Sequence, residues 1–288
     1  MCKLKSGIIL KDRVFVPNYD SHNAMLEELG IADTRENAEK LFVRAEFSPK
    51  MNNPFKPLET WEYVVDQDIL PDWYVEEIDK ERFISEVKRW ANKHIVTDAD
   101  IVVRDGIFYA KNSTVTAWAN SKVEAFGNCE VYAFNNSVVT AWNNSTVEAN
   151  DNSNVTVHGM SKVRSFGHST VKALEFSTVE AWDHSKVEAF DHSKVSAQKN
   201  TMVTACGASA IHAYDSTVEA HVLSVVMACG DSNVKVWEGS NVTAYNQSTV
   251  IIESLSNAPE KNVDINDNSV LVNHRDHVVK FAWEERKK

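Results

Sequence analysis

The residues best suited to covalent chemistry lie near the start of the chain, where a thiol, an imidazole and carboxylates occur within a short segment. Cys2 could act as a nucleophile once a base removes its proton. That base would be the α-amine of Cys2 if Met1 is removed, or His22 paired with Asp20, Asp66 or Asp68 if Met1 stays. The residues around Cys2 lack the glycine-rich turn that forms an oxyanion hole. A cysteine-dependent hydrolase using Cys2, His22 and Asp20 is therefore the alternative hypothesis, and we expect Cys2 to be a small structural residue.

Three histidines further along the chain, His168, His184 and His192, are candidates for metal binding. The first two are separated by two repeated units of the sequence, and neutral imidazoles are common metal ligands. A metal site needs at least three protein ligands, however, and this spacing aligns only two. We therefore expect these histidines to lie at corners of the chain, and we predict neither a metal nor a cofactor.

Aromatic residues recur at one position of a repeated unit and form the main candidate binding surface. If these rings face outward, they form ladders that dimerise or bind a protein partner, because large exposed apolar surfaces usually mark interaction sites. If they face inward, they complete the core. Both interpretations stay open from the sequence. The candidate binding residues are Trp118, Phe134, Trp142, Phe166, Trp182 and Tyr214.

The repeated unit has eight residues and the pattern Ser-x-Val-x-Ala-aromatic-x-x. Eighteen units run from Ser113 to Leu255, and one of them, Ser209 to Asp215, has only seven residues. Apolar residues at alternate positions are typical of a strand with one buried face. Asn, Asp and Gly gather at positions seven and eight, where a corner needs left-handed backbone. Each unit therefore predicts one short strand followed by one corner.

Stacked units can share a core that a single unit cannot build. The sequence therefore predicts a mainly β protein in which the repeats form a single-stranded β-solenoid. The inward residues Ser, Val and Ala are small, which favours a flattened, sixteen-residue coil of two units over a triangular coil of three units. Two units per coil would pair Val115 with Val131, whereas three would pair Val115 with Val139.

The units at Ser113–Ala117 and Ser240–Ala244 resemble the Ser-x-Leu/Gln-Thr-Ala repeats of bacterial ice-nucleation proteins. The resemblance covers about half of the chain and implies two repeats per coil. Ice activity in that family depends on Thr-x-Thr arrays on one flat face. Here the corresponding positions carry charged side chains such as Lys122 and Glu124, so we do not expect an ice-binding face.

The residues before the repeats lack this periodicity and predict an α+β head. We expect a helix from Asp79 to His94 with an apolar stripe that includes Phe83 and Trp90. The other expected elements are strands near Gly7–Phe15, Phe42–Phe47 and Trp61–Val65 and a helix after Ser21 through Leu29. The predicted domains are a head and capping domain at residues 1–96, the solenoid at 97–256 and a C-terminal cap at 257–288.

The start of the head resembles phage and prophage proteins that begin with Met-Cys-Lys and carry various repeat tails. The resemblance depends on Met1–Lys3, Ser6–Gly7 and Tyr19–His22. It implies a phage or other mobile-element setting and assigns no catalytic role, because the head of that group has no settled activity.

Charge restricts the possible partners. The chain has 288 residues and a formal net charge of −11, which argues against direct nucleic-acid binding, because that function needs a concentrated basic face. An acidic nucleic-acid mimic that inhibits a host defence protein is a further alternative. Bases such as Lys122 and Lys186 accompany the recurring glutamates, however, and this mixture is typical of a solvated face with cross-strand ion pairs.

Hydropathy and cysteine spacing predict a cytoplasmic protein with no membrane partner. No stretch is apolar enough to span a bilayer, and the first residues lack the hydrophobic segment of a signal peptide. The four cysteines have no CxxC spacing, which suits a reducing compartment. Together, the observations favour a non-enzymatic β-solenoid recognition or structural protein that binds a protein partner through the solenoid face or the head, or self-associates as a homodimer.

Overall fold

The computed structural model describes residues 5–49, 53–237, 239–253 and 262–285. The chain divides into two compact units. The first comprises Met1–Thr97 with Gly106–Tyr109, and the second comprises Asp98–Asp105 with Ala110–Lys288. No helix among the described residues combines the length and the apolar character needed to cross a lipid bilayer. Cys2 lies outside the described residues.

The first unit is built on a four-stranded antiparallel sheet with the strand order β2-β1-β3-β4. Its elements are β1 (Ser6–Leu10), β2 (Val14–Phe15), α1 (His22–Glu28), α2 (Arg35–Lys40), β3 (Phe42–Ser48), β4 (Glu62–Val65), α3 (Glu76–His94) and β5 (Ile95–Thr97). The strand expected over Gly7–Phe15 is split in two by a turn. The short helix α2 was not predicted. Its start is stabilised by Thr34, whose Oγ1 accepts a hydrogen bond from the amide of Asn37.

Strand β3 is buried on both faces and organises the core of this unit. Val43, Ala45 and Phe47 face one cluster, which contains Phe83 and Val87 of α3. Phe42, on the opposite face, packs with residues of β1 and α1 in a second cluster. The apolar stripe predicted for the helix at Asp79–His94 therefore packs on a sheet. This helix, α3, begins earlier than expected, at Glu76.

The second unit consists of short strands at regular intervals. Of β7, only the last two residues, Ala110 and Lys111, belong to this unit. The strands are β6 (Asp100–Val103), β7 (Ile107–Lys111), β8 (Thr114–Ala117), β9 (Lys122–Phe126), β10 (Glu130–Ala133), β11 (Val138–Ala141), β12 (Thr146–Ala149), β13 (Asn154–Val157), β14 (Lys162–Ser165), β15 (Thr170–Ala173), β16 (Thr178–Ala181), β17 (Lys186–Ala189), β18 (Lys194–Gln198), β19 (Met202–Ala205), β20 (Ala210–Tyr214), β21 (Thr217–Ala220), β22 (Val225–Cys229), β23 (Asn233–Val236), β24 (Asn241–Ala244), β25 (Thr249–Ile252), β26 (Val263–Ile265), β27 (Val270–Asn273) and β28 (Val278–Phe281). A short helix, α4 (Ala282–Glu285), follows them.

These strands form two parallel sheets, and the predicted β-solenoid is confirmed. The even sheet contains the even-numbered strands from β6 to β26, and the odd sheet includes the odd-numbered strands from β7 to β27 and ends with the antiparallel β28. Val115 pairs with Val131, whereas Val139 pairs with Val123 and Val155 in the other sheet. One coil therefore consists of two units, which is the sixteen-residue coil predicted, and the triangular alternative is wrong.

The seven-residue unit at 209–215 shortens one corner and leaves the inward register intact. Ile211 pairs with Val195 of the preceding coil and with Val226 of the following coil. The second of these intervals is one residue shorter than the first, yet all three side chains are nearly inaccessible to solvent. The deletion therefore removes a corner residue without turning any strand over.

The first position of each unit is buried, and in several units its hydroxyl closes the corner that precedes it. Ser145 Oγ donates a hydrogen bond of 2.9 Å to the carbonyl of Trp142, and Ser185 Oγ donates one of 2.7 Å to the carbonyl of Trp182. A buried carbonyl without a partner is unfavourable. Serine therefore suits this inward position better than valine, since its hydroxyl reaches back three residues.

The corners use left-handed backbone, as the Asn, Asp and Gly residues indicated. Asn135 and Asp151 both have φ of 58°. The carboxylate of Asp151 also accepts a 3.0 Å hydrogen bond from the amide of Asn135, one coil earlier. Asn143 Oδ1 accepts a similar bond from the amide of Gly127. Short polar side chains therefore tolerate the corner geometry and also connect successive corners.

Ala119 occupies one of these left-handed corners, with φ of 56°, and we expect Ala119→Gly to stabilise the protein. The left-handed conformation costs a residue with a Cβ about 1–2 kcal/mol, so a net gain of about 1 kcal/mol in unfolding free energy is expected after the greater chain entropy of glycine. Ala210→Gly, at an exposed strand position of β20, is the matched control and should lower stability. Chemical denaturation of both variants measures the two signs, and a loss of stability in Ala119→Gly would contradict the prediction.

Candidate functional site

The candidate aromatic residues lie at the corners of the solenoid, in two separate columns. Trp118, Phe134, Phe166 and Trp182 directly follow strands of the even sheet, and Tyr214 ends β20 of the same sheet. Trp142 follows β11 of the odd sheet and therefore belongs to the other column. All are partly buried except Tyr214, which is 50% exposed.

The rings of these columns stack on one another along the solenoid axis. The ring centroids of Trp118 and Phe134 are 4.3 Å apart, and those of Phe166 and Trp182 are 4.8 Å apart. Asn150 occupies the corresponding corner between the two pairs, so the stacking is interrupted. The rings are thus neither core residues nor a continuous outward ladder, and much of their surface is used in packing on their axial neighbours.

A more exposed apolar surface lies on the outward face of the even sheet, where β20 and β22 are neighbours. We call it the β20–β22 patch and define it by Ala210, His212, Tyr214, Val225 and Met227. Val225 is 51% exposed and Met227 is 44% exposed. Together with residues of β16 and β18, most of these side chains line a shallow groove of about 430 Å³. Of the sequence candidates, this patch includes Tyr214 alone.

Outward positions elsewhere on the two sheets carry opposite charges in axial contact. Arg164 Nε lies 3.6 Å from Glu180 Oε2 on the even sheet, and Lys235 Nζ lies 3.8 Å from Glu219 Oε1 on the odd sheet. These contacts are typical of a solvated face and contribute little stability. At the equivalent positions the β20–β22 patch carries His212 and Met227, with no carboxylate or ammonium group. The sequence already indicated this patch, because Val225 and Met227 stand at two outward positions where most units carry polar residues.

The corner that leads into β22 is also apolar and exposed. Val222 and Leu223 are 56% and 63% exposed, and Leu223 has a left-handed φ of 61°. A leucine in this conformation is strained and gains nothing from burial here. Val222 and Leu223 therefore extend the exposed apolar surface beyond Val225, at the start of β22. The strained backbone of Leu223 lowers the local stability.

In the first unit, Asp20 forms its ion pair with Lys5 and His22 forms its contact with Asp66. Asp20 Oδ1 accepts a 2.7 Å hydrogen bond from Lys5 Nζ, and this ammonium group is completely buried. Lys5 Nζ also donates to the carbonyl of Tyr19 and lies 4.7 Å from the ring centroid of Trp90. Burial lowers the pKa of Lys5, and the charge and hydrogen bond of Asp20 act in the opposite direction. Asp20 is therefore the counter-ion of a buried lysine.

His22 instead lies beside Asp66, another aspartate considered from the sequence. His22 Nδ1 is 3.3 Å from Asp66 Oδ2, and His22 Nε2 is 3.4 Å from the carbonyl oxygen of Ala45. One ligand atom from each of His22, Glu46 and Asp66 lies within 4.8 Å of the other two. His22 and Glu46 are each 6% exposed, whereas the side chain of Asp66 is 58% exposed. Sequence reasoning missed Glu46, since it gave no reason to place β3 against the start of α1.

Three adjacent elements bring this cluster together. His22 is the first residue of α1, which begins after Ser21, whose Oγ accepts a hydrogen bond from the amide of Ala24. Glu46 lies on β3, and Asp66 directly follows β4, the strand next to β3. The hypothesis that this imidazole activates Cys2 as a nucleophile stays a prediction, because Cys2 is outside the described residues.

The imidazole rings of His168 and His184 stack as the coil length predicted, with their centroids 5.3 Å apart.

Comparison of the whole chain with models of known protein families, with curated proteins and with solved structures finds no match. The function must therefore be inferred from the geometry of these surfaces.

Proposed function

We propose that this chain is a non-enzymatic β-solenoid recognition protein that binds a protein through the β20–β22 patch. The observation that carries the proposal is the exposure of Val225, Met227 and Tyr214 together on one flat sheet face. Contiguous apolar patches on protein surfaces usually mark interaction sites. The strained and exposed Leu223 at the edge of the patch supports a role other than packing.

A second copy of the chain is the occupant that we favour. A two-fold symmetric contact brings the same patch together from both copies, and this arrangement is the commonest in soluble oligomers. The patch contains no carboxylate or ammonium group, so two copies can meet through Val225 and Met227 without bringing carboxylates or ammonium groups of like charge together. The formal net charge of −11 lies on other parts of the chain. The stacked corner residues Trp118, Phe134, Trp142, Phe166 and Trp182 would then serve the solenoid's own packing.

The biological setting that we propose is a phage or another mobile element. It is supported by the resemblance of Met1–Lys3, Ser6–Gly7 and Tyr19–His22 to phage head domains that carry repeat tails. In this proposal the head and the patch are separate binding surfaces, and the solenoid performs no chemistry.

Replacement of Met227 by Glu should abolish self-association. A carboxylate at the centre of the contact must be desolvated, and each loss of about 1.4 kcal/mol weakens association about tenfold. Sedimentation velocity at micromolar concentrations should show a dimer for the wild type and a monomer for Met227→Glu.

Met202→Glu is the matched control, because Met202 is 53% exposed on the odd sheet, outside the patch. This variant should remain dimeric. A monomeric wild type, or equal effects of the two substitutions, would contradict self-association through the β20–β22 patch.

A further inference from the structure

His212 lies at the centre of the β20–β22 patch. It is exposed on β20 between Ala210 and Tyr214, which share its outward face, and Met227 of β22 pairs with it across the sheet. A contact that covers Met227 therefore also covers this imidazole. Because histidine is the side chain whose charge changes between pH 5 and 8, the charge of the patch depends on pH.

The strand on one side of His212 offers no negative charge to a protonated imidazole. The outward side chains of β22 are Val225, Met227 and Cys229, and Cys229 Sγ lies 3.9 Å from His212 Nε2. Burial raises the pKa of the Cys229 thiol, so the sulfur stays neutral in the pH range where histidine gains its proton. These neighbours therefore suit a neutral imidazole and leave a charged one without a counter-ion.

The strand on the other side of His212 contributes a positive charge. Strand β18 places Ser196 opposite His212 and supplies Lys194 to the same groove. The carboxylate that lines this groove belongs to Glu180 of β16, two strands from His212, and Arg164 Nε already lies 3.6 Å from it. A protonated His212 therefore has a cation on the adjacent strand, whereas the carboxylate of the groove is one strand further away.

We propose that protonation of His212 dissociates the dimer, so that self-association through the β20–β22 patch is a pH-dependent switch. This inference rests on the self-association proposed above. Contact between two copies removes water from the patch, and a charged group that loses its water without gaining a partner is unfavourable. A two-fold contact also brings one such charge from each copy together. Separated chains therefore bind more protons than the dimer does, and by linkage acid favours separated chains.

The overall charge of the chain acts in the opposite direction, which makes the expected effect specific to the patch. Each copy has a formal net charge of −11 at pH 7, so two copies repel each other. Acidification adds protons throughout the chain and lessens this repulsion. A dimer that responded to overall charge alone would therefore become tighter in acid, whereas a cation formed inside the contact makes it weaker.

Sedimentation velocity of the full-length chain at about pH 8 and about pH 6, on either side of the usual histidine titration, tests the switch. We expect the dissociation constant of the wild type to be more than about tenfold higher at the lower pH, because each dimer takes up two protons as it separates. His212→Gln and His212→Phe do not titrate, so their dissociation constants at the two pH values should agree within about twofold. Circular dichroism at both pH values checks that each protein stays folded.

His168→Gln is the matched control, because His168 is an exposed histidine at a corner outside the patch. This variant should keep the pH dependence of the wild type. Equal wild-type affinity at both pH values, or wild-type pH dependence in the His212 variants, would overturn this inference and leave the proposed self-association standing. Loss of the dimer in both His212 variants at the higher pH would also overturn it, since the imidazole would then be needed for packing. A wild type that is monomeric at the higher pH would contradict the proposed self-association, and this inference with it.

Discussion

Val139→Asp should unfold the solenoid or destabilise it severely. Val139 is completely buried and pairs with Val123 and Val155 of adjacent coils. The interior at this level consists of Ser, Val and Ala side chains, and an aspartate would lie between valines with no cation to pair with. A loss of about 4 kcal/mol or more is expected, since an unpaired charge in a dry core belongs to the most damaging class of substitutions. Thermal denaturation followed by circular dichroism measures the effect.

The adjacent residue provides a closely matched control. Val138 belongs to the same strand, but its side chain points outward and is 38% exposed. Val138→Asp introduces the same group one residue away and should change stability by less than about 0.5 kcal/mol, as is usual for surface substitutions. If the two variants melt alike, the assignment of inward and outward faces is incorrect.

Asp20→Ala should produce the largest loss of stability in the first unit at neutral pH. It leaves the ammonium group of Lys5 buried without its counter-ion, and breaking a buried pair in this way costs about 3 kcal/mol. The double variant Lys5→Met with Asp20→Ala removes both charges and should recover most of the loss. Equilibrium unfolding in denaturant compares the three proteins.

The effect of Asp20→Ala should also depend on pH in a defined direction. Burial lowers the pKa of Lys5 below its usual 10.5, and the charge and hydrogen bond of Asp20 raise it partway back. The wild type therefore retains the proton on Lys5 to a higher pH than the variant. The stability difference should be full near neutral pH and should shrink as pH rises through these two pKa values, because a neutral amine needs no counter-ion. A difference that stays constant up to pH 10.5 would contradict the role assigned to Asp20.

The repeat by itself determined most of the solenoid. Alternation of Ser, Val and Ala predicts strands with one buried face, and the small volume of these side chains predicts the two-unit coil in which Val115 pairs with Val131. Asn, Asp and Gly at the corners predict left-handed backbone. These properties follow from local patterns that recur in every unit, so each copy of the unit repeats the same information.

Only the tertiary structure decided which polar groups meet in the head. Asp20, Asp66 and Asp68 were equivalent partners for His22 in the sequence, and the fold assigned Asp20 to Lys5 and Asp66 to His22. It also brought Glu46 to this cluster. Such contacts join residues that are far apart in the chain and depend on how α1 packs on a non-repetitive sheet, which no local pattern specifies.

The same distinction applies to the aromatic residues. Their position in the repeat placed them next to the corners but did not decide the direction of the rings, because a corner side chain can turn toward the core or toward solvent. Packing on the axial neighbour decided this, as the stacked rings of Trp118 and Phe134 illustrate. Val225 and Met227 became the more exposed apolar surface because the pleat of β22 turns both of them outward while Val226 fills the core. The sequence determined the face on which each side chain lies, and three-dimensional packing determined which of those side chains stay accessible to a partner.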